Sequence, residues 1–246
     1  MRKRTVQPIL GTILQKVASR VGAKVLVEPH WKIVGQVTFK NGRRRYFRYS
    51  SLDLNPLGAS DIAKDKDYAN FFMKKMGYPT VLGEAFYSDE WAEAIGSERK
   101  IGAAYRYADK LGFPVIVKPN SGSQGNNVSL VYSRKEFYHA LRTIFKHDRI
   151  ALVQRRVSGR DFRIVVLDNK IISAYERVPL SVVGDGHSTI LSLLKRKQRE
   201  FIASSRDTQL KLFDPRISAK LARQKLTMRS IPKRGEKIFL LDNANL

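Results

Sequence analysis

Residues 113–128 hold the most chemically pointed pattern in the chain: Phe113-Pro114-Val115-Ile116-Val117-Lys118-Pro119-Asn120-Ser121-Gly122-Ser123-Gln124-Gly125-Asn126-Asn127-Val128. A short apolar strand delivers a lysine at its end, and a run of Ser, Gly and Asn follows. Such a loop can bring main-chain N–H groups up to phosphate oxygens, and a fixed lysine neutralises their charge. It is not a Walker A loop, because no Gly-Lys-Ser/Thr closes it before a helix. It is not a dinucleotide fingerprint either, because the loop returns into a strand. On pattern alone, a glycine turn with a solvent-facing lysine fits these residues equally well.

The elements around this segment follow from periodicity and punctuation. Residues 8–22 read as a helix with Ile9, Ile13, Leu14, Val17 and Val21 on one face and Gly22 as its stop. A strand over 25–27 precedes a hairpin over 33–49, turned at Asn41-Gly42. The second hairpin strand, 43–49, is crowded with arginine. It reads first as a solvated edge strand; the competing reading is a nucleic-acid-contacting strand with Tyr46 and Phe47 interleaved. A helix over 61–76 is predicted, capped by Ser60, ended by Gly77 and Pro79, and buried through Ala69, Phe72, Met73 and Met76. Another is predicted over 98–111. After the strand at 115–118 and the loop come a strand over 128–132 and a helix to 145, opened by the capping box Ser133…Glu136. Strands follow at 151–157, 162–167 and 170–177, the last two joined by Asp168-Asn169. A helix over 189–202 capped by Ser188 and a strand over 237–241 complete the pattern. This mixed order implies an α+β fold with a largely antiparallel sheet beside helices, not a series of βαβ crossovers.

Composition narrows the function classes. The 246 residues carry 46 Lys+Arg against 22 Asp+Glu, a formal charge of +24, which calls for or tolerates a polyanion. Residues 1–50 hold 12 basic side chains and one acidic, whereas residues 51–100 hold 6 and 9. With 43% hydrophobic residues the chain can build a core, so a wholly disordered basic tail is excluded. The absence of cysteine excludes disulfides, thiolate zinc sites and a cysteine nucleophile. No apolar run reaches the length of a membrane span, and a cytoplasmic setting is expected.

Five stretches, in order, resemble the ATP-grasp superfamily and, within it, the branch of cyanophycin synthetase and bifunctional glutathione synthetase. They are Asp61 to Lys66; Leu111 to Pro119 with its loop; Val153-Gln154-Arg155-Arg156-Val157-Ser158-Gly159-Arg160-Asp161-Phe162-Arg163; Glu176 to Pro179 with Val183 to Ile190; and Leu241 to Leu246. The resemblance covers roughly residues 55–246. It implies an ATP-grasp domain over 56–246 after a small basic region, 1–55, and two α+β lobes with ATP between them. It implies that Lys66 and Lys118 hold the α- and β-phosphates, that Ser123, Gln124, Gly125 and Asn126 close over them, and that Gln154, Arg155, Arg156 and Val157 receive adenine. Asp161 matches the ribose-binding carboxylate. Arg163 and Arg177 match arginines that face the transferred phosphate; as bare residues they are equally good cross-strand partners for Asp161 or Glu176. Gly184, Asp185, Gly186 and His187 match a loop near the acceptor substrate. Of the other histidines, His139 and His147 read as surface positions.

The chemistry implied is ligation of a carboxylate to an amine through an acyl-phosphate, with ATP and Mg²⁺ as cofactors and an amino acid or peptide as substrate. Members of this superfamily hold Mg²⁺ with late acidic residues and a Glu-x-Asn pair. No Glu-x-Asn follows Arg177, and Glu200, Asp207, Asp214, Glu236 and Asp242 are scattered, so no metal ligand is assigned and an incomplete C-terminal part is expected. A non-catalytic ATP-binding protein of the same fold is the alternative. Nucleic acid ranks below both as a partner.

Overall fold

A computed structural model describes residues 9–123, 125–204 and 209–242; Gln124, Asp207 and the Asn-Ala-Asn-Leu segment at 243–246 lie outside them. The chain divides into two compact units, residues 1–63 and 64–246.

In the first unit, helix α1 (Ile9–Ala18) passes into a 3-10 turn, Ser19–Val21. Gly22 stops it with φ 63°, a left-handed position that glycine takes without steric cost. A four-stranded antiparallel meander follows: β1 (Lys24–Val27), β2 (Val34–Thr38), β3 (Arg44–Arg48) and β4 (Ser51–Leu52). The Asn41-Gly42 turn lies where expected, with Gly42 at φ 80° donating its N–H to the Phe39 carbonyl. Strand alternation puts Val25, Val27, Val37 and Phe47 on one face, and Gly11 of α1 lets the helix approach Val27 and Phe47 closely. Phe47 is the buried centre of this small core. One expectation changes here. The arginine-rich strand is an edge only in its first half, because β4 pairs with its far side at Phe47↔Leu52 and Arg48↔Ser51.

The single helix expected over 61–76 is two. Helix α2 (Leu57–Lys64) ends one residue before Asp65, and α3 (Lys66–Lys75) begins after it. Asp65 adopts extended backbone and its carboxylate accepts the Tyr68 N–H at 2.9 Å, so it caps α3 rather than continuing α2. Ser60 is therefore inside a helix, not a cap. The face expected to be buried is open: Phe72, Met73 and Met76 are all exposed.

Strand β5 (Gly83–Tyr87) and helix α4 (Asp89–Ala94) occupy a stretch to which the sequence pattern assigned nothing. Helix α5 (Ile101–Leu111) starts three residues later than expected. Strands β6 (Val115–Pro119) and β7 (Ser129–Val131), helix α6 (Arg134–Phe145) and strand β8 (Ile150–Arg155) match the expected order. The Ser133 hydroxyl accepts the Glu136 N–H at 3.3 Å, and the Glu136 carboxylate reaches back to the Tyr132 N–H at 2.9 Å. The four strands form one antiparallel sheet in the order β5-β8-β6-β7. Alternation sends Val115, Val117, Val131, Ala151 and Val153 into α5 and α6, where Phe137, Leu141 and Ile144 complete a buried apolar core. Each such side chain contributes about 1.5–3 kcal/mol by leaving water. The opposite face of the same strands presents Ile116, Lys118, Leu130, Leu152 and Gln154 in register.

Strands β9 (Asp161–Leu167) and β10 (Lys170–Arg177) make a two-stranded ribbon, turned by Asp168 and Asn169 at φ 46° and 63°. A second core joins β11 (Ser181–Val183), α7 (Ile190–Ala203), α8 (Pro215–Arg223) and β12 (Lys237–Phe239) around Ile190, Leu194, Ile217, Leu221 and Leu240. Thr189, not Ser188, caps α7, its hydroxyl accepting the Ser192 N–H. The sequence pattern missed α8, although Asp214-Pro215 is a cap followed by proline at the first helical position. Among the described residues no helix is long and apolar enough to cross a membrane.

Gly83 controls how β5 lies against β8. A methyl group there would sit 2.7 Å from the Val153 carbonyl oxygen and collide with Gln154 Cγ. Such overpacking costs ~1–3 kcal/mol. Gly83→Ala is expected to lower the thermal midpoint by about 2–10 °C in a calorimetric scan; an unchanged midpoint would mean that β5 shifts freely.

Candidate functional site

Lys118, the last residue but one of β6, lies on the face away from α5 and α6, where alternation must place it if Val115 and Val117 are core. Proline follows, and the chain leaves the sheet at Asn120. Asn120 is buried and every polar atom of its side chain is used. Its Oδ1 accepts the Asp67 N–H at 2.9 Å and its Nδ2 donates to Asp65 at 2.7 Å. Its own N–H donates to the Ile150 carbonyl at 2.9 Å. The side chain thus ties the head of α3 to the end of β6.

Lys66, the first residue of α3, completes this joint. Its Nζ donates to the carbonyls of Asn120 at 2.8 Å, Ser121 at 2.8 Å and Gly122 at 3.1 Å. Asp148 holds the next residue, accepting the Ser121 N–H at 2.9 Å and the Ser121 hydroxyl at 2.6 Å. The loop then turns through Gly122, Gly125 and Asn127, with φ 79°, 69° and 54°. The Gly125 carbonyl accepts from Arg216 at 2.7 Å, and Arg216 is itself held by Asp214. Ser123 and Asn126 are exposed on this loop; Gln124 lies outside the described residues.

The two lysines meet electrostatically. Burial pushes the Lys118 ammonium below the ordinary lysine range, and the neighbouring Lys66 charge pushes it further. Burial also lowers Lys66, while Asp148 and Asp65 oppose that shift. A buried ammonium that a neighbouring cation further disfavours is a receptor for an anion.

The other expected residues divide into clusters. Gln154 is buried in β8, paired with Ile116 and Gly83; Arg155, Arg156 and Val157 run out of the strand exposed, with the Arg155 N–H donated to the Leu82 carbonyl at 2.9 Å. Asp161, Arg163, Tyr175 and Arg177 share one face of the β9–β10 ribbon. Arg177 grips Asp161 through Nη2 at 2.8 Å and Nε at 3.2 Å, which is the cross-strand pairing that the residues alone allowed. Glu176 pairs with Arg160 instead. Arg163 is exposed opposite Tyr175. Asp185 accepts the N–H groups of Ser188 at 2.7 Å and His187 at 3.2 Å and both Nη groups of Arg196. The Ser188 main-chain bond, first among these, holds its carboxyl well below the usual carboxylate range. His187 lies exposed with Nε2 3.6 Å from Asp185. Gly184 is buried where a side chain would strike the main chain of Pro232 and Lys233. His139 and His147 are exposed, as expected.

Asp65, Asn120, Asp148 and Arg216 were not singled out from the sequence. The first two lie inside the quoted motifs, and their type, a short polar side chain at an element end, was the available signal. Nothing in the sequence places Asp148 beside Ser121. Among the described residues no three His, Asp or Glu side chains converge to hold a metal ion. The carboxylates nearest the lysines are already committed to Tyr68, Asn120 and Ser121, so the described residues do not compose a Mg²⁺ cage.

Residues 72–187 match the family described as D-ala D-ala ligase C-terminus. The chain is similar to the ATP-grasp ligases over that stretch and shares their fold. It is 29% identical over 193 residues to cyanophycin synthetase of Geminocystis herdmanii, covering 76% of this chain and 21% of that protein. It is 30% identical over 139 residues to the glutathione biosynthesis bifunctional protein GshAB of Clostridium perfringens, covering 54% and 18%. The fold is similar to that of a bifunctional glutathione synthetase from Pasteurella multocida, with TM-score 0.50 and 23% identity over 97% of this chain and 31% of that one. The chain thus spans about a fifth of the length of these curated relatives. Its α+β architecture is the one the sequence implied.

The Asn120 joint is testable. Asn120→Ala leaves the Asp67 N–H and the Asp65 carboxylate short of a partner, which costs about 1–3 kcal/mol. Faster hydrogen exchange at residues 121–127 and at the first turn of α3 is expected. Unchanged exchange there would show that Lys66 holds the loop alone.

Proposed function

We propose that residues 64–242 form the nucleotide-binding part of an ATP-dependent carboxylate–amine ligase. The observation that supports this reading above all is a glycine-bearing loop that leaves the sheet just after Lys118 and is gripped at its first three carbonyls by Lys66 of another element. A triphosphate laid against that pair removes the repulsion between the ammoniums, and water supplies no fixed charge that does so. In this reading Ser123, Gln124, Gly125 and Asn126 cover the phosphates. Main-chain groups of Gln154 to Val157 meet the adenine edge, and Asp161 receives the ribose hydroxyls.

Arg163 and Arg177 then face the transferred phosphoryl group. A carboxylate of an amino acid or peptide attacks the γ-phosphorus, and the bond to the bridging oxygen breaks with release of ADP. The two guanidinium groups stabilise the charge on the equatorial oxygens. An amine attacks the acyl carbon, phosphate leaves, and an amide remains. In this reading the loop Gly184-Asp185-Gly186-His187 faces the acceptor, and the exposed His187 imidazole is a group that can take the amine proton. No step is routed through a metal, because the described residues do not assemble a site for one.

Calorimetric titration with ATP is the test. Lys118→Ala is expected to weaken binding at least tenfold, the scale of a lost charge-assisted contact; unchanged affinity would remove Lys118 from the phosphate site. The pH dependence has a defined sign. Lys118 and Lys66 bind protons less tightly than free lysine in the empty protein, and a bound triphosphate raises both. The complex therefore carries more protons, and ATP affinity must fall as pH rises through the alkaline range below 10.5. The acyl-phosphate step is read separately: with ATP, hydroxylamine and an amino acid or dipeptide panel, a hydroxamate is expected. ATP binding without hydroxamate for any member would favour the non-catalytic ATP-binding alternative.

A further inference from the structure

The first unit carries a second polyanion surface that the nucleotide reading does not use. Its residues 1–63 contain twelve Lys and Arg and only three Asp and Glu: Glu28, Asp53 and Asp61. Two of those carboxylates are consumed internally. Glu28 accepts the N–H groups of His30, Trp31 and Lys32, and Asp53 pairs with Arg45 at 3.1 Å.

The outer face of the meander collects what remains. Register places Lys24, Thr38 and Arg44 in one row across β1, β2 and β3, then Leu26, Gln36 and Tyr46 in the next, then Val34 and Arg48. Lys24, Leu26, Val34, Arg44, Tyr46 and Arg48 are all exposed, Leu26 at 69% and Tyr46 at 57%. Along β3 the order is arginine, tyrosine, arginine on one face, with about 7 Å between neighbours. Gln36 donates to the Tyr46 hydroxyl at 3.0 Å, which fixes the ring on the sheet. Among the described residues none of Lys24, Arg44 or Arg48 is ion-paired with a carboxylate.

Edge protection does not account for Arg48, where β4 pairs with the far side of β3. Solubility does not account for an aromatic ring and a leucine at the middle of the patch. A flat aromatic platform flanked by unpaired cations is the chemistry that holds a single-stranded nucleic acid: bases stack on the ring while phosphates lie along the cations. An acidic polypeptide would use the cations and leave the ring idle.

We propose that the outer face of the β1–β4 sheet, centred on Tyr46 between Arg44 and Arg48, docks single-stranded nucleic acid. This surface is independent of the ligase reading and stands or falls without it.

The test is fluorescence anisotropy of a labelled 20-nucleotide oligo(dT) with the full chain across a sodium chloride series. Tyr46→Ala is expected to weaken binding about 5- to 150-fold, the range of one lost stack. Tyr46→Phe, which keeps the ring, should bind like the unaltered protein. Arg44→Ala with Arg48→Ala should reduce the slope of log affinity against log salt by about 1.4, two phosphates' worth for a single strand. Lys110→Ala with Lys146→Ala, exposed cations of the second unit, removes the same charge elsewhere and should leave that slope unchanged. The proposal is overturned by no binding at low salt, by equal losses in the two double variants, or by full affinity of Tyr46→Ala. Displacement by poly-glutamate as effective as by unlabelled oligonucleotide would overturn it in favour of an acidic polypeptide.

Discussion

Everything on the lysine-bearing face of the β5–β8 sheet depends on how Asn120 is satisfied. The residue is buried at the point where β6 leaves the sheet, and a buried amide without partners is costly. Asp65 and the Asp67 N–H answer it from α3, and the Ile150 carbonyl takes its main-chain N–H. One side chain thereby fixes a helix start, a strand end and the origin of a glycine-bearing loop. That joint sets Lys66 on the loop that begins two residues after Lys118. The same joint explains the break at Asp65. A carboxylate that must reach both Asn120 and the Tyr68 N–H cannot belong to a continuous helix.

Local signals carried much of this into the sequence. The strand Val115–Pro119, the Ser133 cap, the Asn41-Gly42 and Asp168-Asn169 turns and the Gly22 stop are each decided by neighbours a few residues apart. Period-two alternation was enough to put Lys118 opposite Val117, and Asp161 on one face with Arg163, whereas Arg177 joins that face only through the register shift between Ile171 and Ser173. Where partners come from far along the chain, the sequence was silent. Asp148 meets Ser121 across 27 positions, and Arg216 meets the Gly125 carbonyl across 91. The break at Asp65 was hidden because helical periodicity continues across it, and only the demand of Asn120 decides against it. Phe72, Met73 and Met76 show the converse. Their spacing declares an apolar face correctly but not what, if anything, lies upon it.

The charge of the chain takes on a structural meaning. Many of its carboxylates are spent on local tasks: Asp65 and Asp214 cap helices, Asp148 pins a loop, Asp185 organises a turn, and Asp161 and Glu176 tie the ribbon. Each is matched by main-chain N–H groups or by one arginine. The surplus of lysine and arginine is then left without local answers, and it surfaces in two unlike places. Beside the loop it is concentrated and half-buried, suited to a compact ion. On the meander it is spread over an open sheet, suited to an extended one.

An ammonium has three protons to donate, and Lys66 donates all three, to three successive carbonyls. An anion that takes one of them leaves a carbonyl bare, at about 1–3 kcal/mol if no water reaches it. A singly charged anion offers little to offset that loss. A chain of phosphates, touching Lys118 and the loop N–H groups as well, offers several bonds at once. The grip of Lys66 on its own main chain is therefore a threshold: it holds the loop in one shape against stray ions, and yields only to a ligand with enough charge in one line to replace it.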